Sequence, residues 1–455
     1  MSWTKLPLAN YCSPCRTEII EPSGEDPVHD AKAEDAFKPS SNAMILGILG
    51  GGQLAYFLAL AARRMGLKIV ILSDDPTHLC QSLTEEPQSE LKPSRKVLAE
   101  SCELIITENE NDVARFLNEI SKDEQKKLRP SADVLRIFAD KGAQKQWLAA
   151  HGIESSQFEM FAAKSQNSVE WLKQQMHNFP RGFVLKWTQG GYDGHGVCFA
   201  RSAKLRTPER KRLLCFMDKG LQSEGEVYAE ALVDFSCELS LVATRAESGQ
   251  IVFYPLVLSQ QEGGVCRLVR GPAHQFANLQ GIEEKAREIA HKIGKLSELT
   301  GTYAIEFFLQ KDGLLLVNEI APRVHNSGHF SLDWGSCSQF ENHVRAISGQ
   351  ELRSPEANGC FAMLNILGPE TYIGHASAPS LQLDGCTLHW YGKTQMRPGR
   401  KMGHFNLVAE DSEKLTQRLS ILENALELWT SHYAVAKGDA NADTNKSSSS
   451  YGKRF

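Results

Sequence analysis

Thr302-Tyr303-Ala304-Ile305-Glu306-Phe307-Phe308-Leu309, then Gln310-Lys311-Asp312-Gly313, then Leu314-Leu315-Leu316-Val317-Asn318-Glu319-Ile320 is the stretch whose reading decides the fold class. Apolar runs on either side of a Lys-Asp-Gly turn predict two antiparallel strands. If Leu309 faces Leu314, Glu306 faces Val317. Side chains alternate along a strand, so Glu319 shares the Glu306 face as a diagonal neighbour, roughly 7–8 Å away at the backbone. Phe307, Phe308, Leu315 and Leu316 make these core strands, where an unpaired carboxylate is costly. Two carboxylates on one face suit Mg²⁺ bridging nucleotide phosphates, with Asn318 adding an oxygen if the strand twists. The plainer alternative is a pair of solvated strand-face acids.

Downstream, Ala321-Pro322-Arg323-Val324-His325-Asn326-Ser327-Gly328-His329 carries too many donors for a mere connection and predicts a substrate-binding loop. Upstream, the strand Phe183-Val184-Leu185-Lys186 runs into Gln189-Gly190-Gly191-Tyr192-Asp193-Gly194-His195-Gly196. A lysine at a strand end beside a glycine-rich loop can neutralise phosphates that the loop closes over, although many such loops are plain hairpins. The middle region reads as α+β, with Ile282, Ala286, Ile289, Ile293 and Leu296 on one helical face.

Further out, Ile45 to Leu49, Leu54 to Met65 and Lys68 to Leu72 read as a βαβ unit that opens an α/β domain. Its turn, Gly50-Gly51-Gly52-Gln53-Leu54-Ala55, points backbone N–H groups and a helix dipole at an anion. It also fits G-x-G-x-x-A with Asp74 and Asp75 after the second strand, so a phosphate site, a dinucleotide site and an unliganded turn all stand open. The same glycines divide the charge-free run Met44 to Ala62, which therefore does not read as a membrane span.

The 50 Lys+Arg against 55 Asp+Glu leave a formal charge of -5, which argues against bulk-charge binding of nucleic acid. Lys393 and Arg397 to His404 form a local basic cluster that a phosphate partner or a solvated hairpin would explain. Eleven scattered cysteines suit reduced thiols in the cytoplasm. Residues 1–43 read as a poorly ordered extension whose Cys12 and Cys15 lack the second ligand pair of a zinc site, and 437–455 as a disordered tail.

GGGQL at the first turn, GGYDG at the glycine loop, EFF and NEIAPRVHNSGH on the hairpin, SQFENHVRAI after it and GRKMGH near the end occur in that order. Over residues 44 to 435 this resembles the N5-carboxyaminoimidazole ribonucleotide synthetase family. The resemblance implies an ATP-grasp fold: a Rossmann-like preATP-grasp domain (44–140), an ATP-grasp domain (141–355) and a small β-rich C-terminal domain (356–436). It further implies a homodimer that joins ATP, bicarbonate and aminoimidazole ribonucleotide. Lys141 and Lys186 are similar to the family's phosphate-neutralising cations, with Gly191, Tyr192, Asp193, Gly194, His195 and Gly196 as the lid. Glu230, Ala231, Leu232 and Val233 resemble the adenine hinge, and Glu238 the ribose ligand, with Gln261 and Asn318 also at the nucleotide. Glu306 and Glu319 resemble the Mg²⁺ ligands. Tyr192, Asp193, Arg323, His325 and Asn326 resemble the groups around bicarbonate and amine. Gly52, Gln53, Leu54, Glu108, Glu110, Lys393, Arg400 and Lys401 resemble the ribonucleotide site. Three positions depart from the pattern: Ala55 replaces a glycine and its methyl narrows the ribonucleotide side, His195 replaces Lys or Arg, and Gln261 falls where some members have His.

Overall fold

The computed structural model describes residues 42–75, 78–84, 94–110, 113–190, 196–201, 207–222 and 225–435. Cys12 and Cys15, the serine-rich tail and Gly191 to His195 lie outside these described residues. Around Gly50 the expected unit forms. Strands Ile45–Leu49 and Lys68–Leu72 pair in parallel, joined by the helix Gln53–Arg64, and Leu104–Thr107 adds on the other side. Parallel strands need a crossover, and this helix supplies it while burying Leu54, Ala55, Phe57, Leu58, Ala59 and Ala62. No described helix is long and apolar enough to cross a membrane.

Two antiparallel sheets follow. The smaller runs in the order Phe158–Met160, Val227–Ala231, Phe183–Trp187, Val197–Ala200. The larger begins with the quoted hairpin, Leu315–Ala321 against Gly301–Gln310, and continues through Phe235–Arg245, Val257–Glu262 and Val265–Gly271. It then takes in Cys360–Leu367, Lys401–Ala409 and Cys386–Trp390, so the C-terminal strands extend the central sheet across the expected boundary at residue 355. The helix Ser412–Val435 covers these strands with Leu415, Leu419, Leu422 and Leu426. On the helix Ile282–Ser297, Ile282, Ala286 and Ile293 are buried as the periodicity predicts and Ile289 is half-buried, while Ala290, outside the expected set, is buried as well. Leu296 is the exception: in the last turn before the left-handed Glu298 (φ 55°), it is 45% exposed.

The three parts meet at one aromatic cluster. Phe57 of the first helix lies 5.1 Å from Phe340 and 5.6 Å from His329, and edge-on to His389, Tyr391 and His404 of the C-terminal strands. This packing closes the floor beneath the segment 323–327.

Candidate active site

The hairpin register differs from the sequence expectation, and the difference builds the site. Gln310 N donates to Leu314 O at 2.9 Å, so Leu309 pairs with Leu315 rather than Leu314. A bulge at Asn318 then slips the register again, and Glu306 stands directly opposite Glu319 instead of Val317. A bulge leaves one residue outside the ladder and bends the strand. Asn318, the extra residue, places its Oδ1 3.4 Å from Lys186 Nζ.

Lys141 opens the helix Lys141–Ala150, which Asp140 caps by accepting from Ala143 N at 2.8 Å. Its Nζ lies 2.6 Å from Glu319 Oε2. Burial opposes the Lys141 charge, yet Glu319, Glu306 and Glu110 outweigh it and raise the pKa. Burial, then repulsion from Glu319 and Glu238, pushes Glu306 up to about 7. A hard divalent cation would relieve that repulsion, and two carboxylates with a neighbouring amide oxygen are donors it prefers. Among the described residues no three His, Cys, Asp or Glu side chains gather as a metal cage.

Lys186 Nζ lies 2.7 Å from Glu230 Oε2. The other oxygen of Glu230 takes Lys145 Nζ at 3.0 Å and the Ser156 hydroxyl, and Lys145 also donates to Ser156 Oγ at 2.8 Å. The Lys145 and Glu230 side chains are only 2% and 3% exposed. Burial disfavours the Glu230 charge, but Lys186, Lys145 and Ser156 prevail and hold its carboxyl down at about 2. Burial, the leading cause, lowers Lys145. The expected adenine hinge therefore starts with a carboxylate committed to two lysines. Ala231 N and Leu232 N donate to Gln157 O (2.9 Å) and Gly182 O (3.2 Å), leading into half-buried Val233. Sequence reasoning misses Lys145, although its place one helical turn after Lys141 is legible.

Glu238 lies in a row with Phe308 and Ser259 across the large sheet, and burial pushes it up to about 7. Gln261 Nε2 donates to Ser259 Oγ at 3.1 Å. Of the lid expected at Gly191 to Gly196, only Gly196 is among the described residues; its carbonyl accepts from Trp187 N at 3.0 Å.

Beyond the carboxylates, His325 Nε2 lies 3.7 Å from Glu306 Oε1. Its Nδ1 accepts from Ser327 N at 3.3 Å and lies 2.9 Å from Ser327 Oγ, which is 2.7 Å from Ser240 Oγ. Burial, then Arg323 and Lys401, lowers the His325 pKa to about 3. Arg323 Nε lies 2.9 Å from Glu110 Oε1. Asn326, expected beside the reacting groups, is buried and exchanges hydrogen bonds of 3.1 and 2.7 Å with Asn365. Its amide is thereby committed to anchoring the loop. Ser240 and Asn365 carry no motif that would flag them; only the fold brings them here.

At the glycine turn, where a phosphate site, a dinucleotide site and an unliganded turn stood open, the helix N-terminus meets a carboxylate of the chain itself. Glu108 accepts from Gly52 N at 2.8 Å and Ala55 N at 3.1 Å, so the chain's own carboxylate fills the helix N-terminus. The glycines permit this approach. A Cβ at Gly52 would lie 2.8 Å from Glu108 Oε1, and one at Gly50, where φ is +103°, 2.3 Å from Glu108 Cγ. Ala55 and Leu54 are both buried in the apolar cluster beneath the turn. Gln53 Oε1 accepts from Lys393 Nζ at 3.0 Å, and Lys393 also donates to Lys401 O at 2.7 Å. Arg400 Nη1 donates to Gln395 O at 2.6 Å. The structure thus joins the first turn to the C-terminal basic cluster.

Two antiparallel sheets, with Lys186 of the smaller sheet and Lys141 of the helix Lys141–Ala150 converging on a carboxylate hairpin of the larger one, define the ATP-grasp class of ligases. The ATP-grasp domain family matches residues 146–340, the ribonucleotide synthetase preATP-grasp domain 43–139, and the phosphoribosylaminoimidazole carboxylase C-terminal domain 362–418. The N5-carboxyaminoimidazole ribonucleotide synthase of Synechococcus elongatus is 33% identical over 84% of this chain and 95% of its own. The phosphoribosylaminoimidazole carboxylase of Ogataea methanolica is 34% identical over 84% of this chain and 69% of its own. The carboxyaminoimidazole ribonucleotide synthase of Aspergillus clavatus complexed with ATP superposes with a TM-score of 0.73 at 28% identity, covering 85% and 99% of the two chains. The chain belongs to the N5-carboxyaminoimidazole ribonucleotide synthase family.

Proposed function

We propose that this ligase uses ATP to join bicarbonate to the amine of 5-aminoimidazole ribonucleotide, giving N5-carboxyaminoimidazole ribonucleotide, ADP and phosphate in purine biosynthesis. The observation that carries the reading is Glu306 set directly opposite Glu319, with Lys141 on one side and His325 on the other. Bicarbonate is a poor electrophile. Transfer of the γ-phosphoryl group to it makes carboxyphosphate; the amine then attacks the carbonyl carbon, or the CO₂ released, as the bond to phosphate breaks.

Lys141 and Lys186 offset the charge of the nucleotide phosphates, and Glu230 holds Lys186 in place from behind. Glu306 and Glu319, with Asn318, would hold Mg²⁺, which when bound neutralises phosphate charge and orients the γ-phosphoryl group. Arg323 and His325 face the one-carbon substrate. Gln53, Lys393, Arg400 and Lys401 take the ribonucleotide, and the working unit is a homodimer.

The test is ADP release with bicarbonate and aminoimidazole ribonucleotide each omitted in turn. Full rate is expected only with both present. A rate that ignores this ribonucleotide but rises with another amine replaces the acceptor.

A further inference from the structure

The strand Leu315–Ala321 ends the large sheet, and its outer edge turns backbone groups toward the helix Lys141–Ala150 and the segment that follows it. Val317 N donates there to Glu154 O at 2.9 Å. Three residues on, Ile320 N donates to Gln144 Oε1 at 2.8 Å, and Gln144 Nε2 donates back to Ile320 O at 2.9 Å. Gln144 is 2% exposed, so its amide meets little competition from water. One side-chain amide thus stands in for a neighbouring strand at a single residue. The spacing of that residue matters. Along a regular antiparallel strand every second residue turns its backbone outward, so after Val317 the next would be Glu319. Asn318, the extra residue, moves that place to Ile320. Without the bulge, the ladder continuing from Phe307 and Val317 would set Glu306 against Asn318 and Glu319 against Ile305. Glu319 would then turn to the core face, where Ile305 is fully buried, and Ile320 would aim its backbone at the partner strand, away from Gln144.

We propose that Gln144 is a positioning residue: by holding both backbone groups of Ile320 it selects the bulged register and keeps Glu319 facing Glu306. The proposal rests on the reading of these two carboxylates as the Mg²⁺ ligands. Gln144 acts through the strand, at the peptide next to Glu319. Lys141 sits one turn earlier on the same helical face, so a single helix sets both the backbone of the carboxylate strand and the ammonium 2.6 Å from Glu319. A register slip would separate those two groups as well as the two carboxylates.

Gln144→Met keeps the bulk of the side chain and removes both hydrogen bonds. Two measurements without turnover read the effect: amide hydrogen exchange over residues 315–321, and titration of Mn²⁺ onto the protein in the presence of ADP, followed by its EPR signal. The unmodified protein should protect the Ile320 amide. In Gln144→Met that protection should drop and Mn²⁺ affinity should fall by about 10- to 100-fold, the scale for losing a group that orients a metal ligand. If Gln144→Met does not fold, Gln144→Asn, one methylene too short to reach both groups of Ile320, should show the same two changes. A rapidly exchanging Ile320 amide in the unmodified protein overturns the assignment, and so does a folded Gln144 variant that melts lower yet binds Mn²⁺ as before. Glu319→Gln separates the two readings: Mn²⁺ binding as tight as in the unmodified protein would sink the metal site, while the exchange of Ile320 still decides what Gln144 holds.

Discussion

Glu306 and Glu319 oppose each other directly across a bulged hairpin, and Lys141 Nζ lies against Glu319 at 2.6 Å. The pair is thus over-supplied with negative charge. Replacing either carboxylate by Gln should lower turnover by about 10²- to 10³-fold, the scale for losing one element of transition-state charge stabilisation. Melting temperature should hold or rise for Glu306→Gln, where repulsion is removed, and fall for Glu319→Gln, which leaves the Lys141 charge without its carboxylate. Near-normal ADP release from either variant at limiting Mg²⁺ would show that the hairpin holds no metal.

Lys145→Met should destabilise the protein by about 3–5 kcal/mol, the range for breaking a buried ion pair from one side. Lys145→Met with Glu230→Gln should cost less than the two single changes added together. Denaturant unfolding of the four proteins measures this, and strict additivity would mean that the two side chains do not interact.

The same carboxylate sets a pH dependence. The folded state holds Glu230 at about 2, below its ordinary 4.5. A depressed carboxyl pKa stabilises the fold fully above the ordinary value, and that contribution fades as pH falls toward the folded one. The stability gap between the native protein and Glu230→Gln should therefore be constant near neutrality and shrink below about pH 4.5. A gap that widens on acidification would contradict the placement of Glu230 between Lys145 and Lys186.

Gly52→Ala should destabilise by about 1–3 kcal/mol through overpacking on Glu108, and Gly50→Ala by more, because its φ of +103° adds strain. Thermal melting gives the order. Equal, negligible losses would mean that Glu108 moves aside freely.

Arg400→Ala should raise the KM for the ribonucleotide by the equivalent of about 1.5–3 kcal/mol and leave the KM for ATP alone, since a phosphate remote from the reacting amine is gripped equally in ground and transition states. A selective rise in the KM for ATP would move the basic cluster to the other substrate.

Much of this architecture is legible in the chain, for local reasons. Short continuous apolar runs mark Phe183–Trp187 and the hairpin strands, and the glycine triplet marks the βαβ turn. What stays hidden is set by tertiary context. Asn318 is legible as a candidate oxygen donor, but the bulge that sets Glu306 opposite Glu319 is not. Lys145 reads as a solvated helix lysine until Glu230, 85 residues later, closes over it. Glu108 and Ser240 act through groups 56 and 87 positions away, distances that no local pattern spans.

Glu108 has one more consequence. A carboxylate tethered by the chain to the helix N-terminus behaves as a competitor present at very high effective concentration, far above that of any free nucleotide. A dinucleotide pyrophosphate would have to evict it and leave its charge stranded beside the turn. The first domain thus keeps the outline of a dinucleotide fold with its keyhole already filled by Glu108.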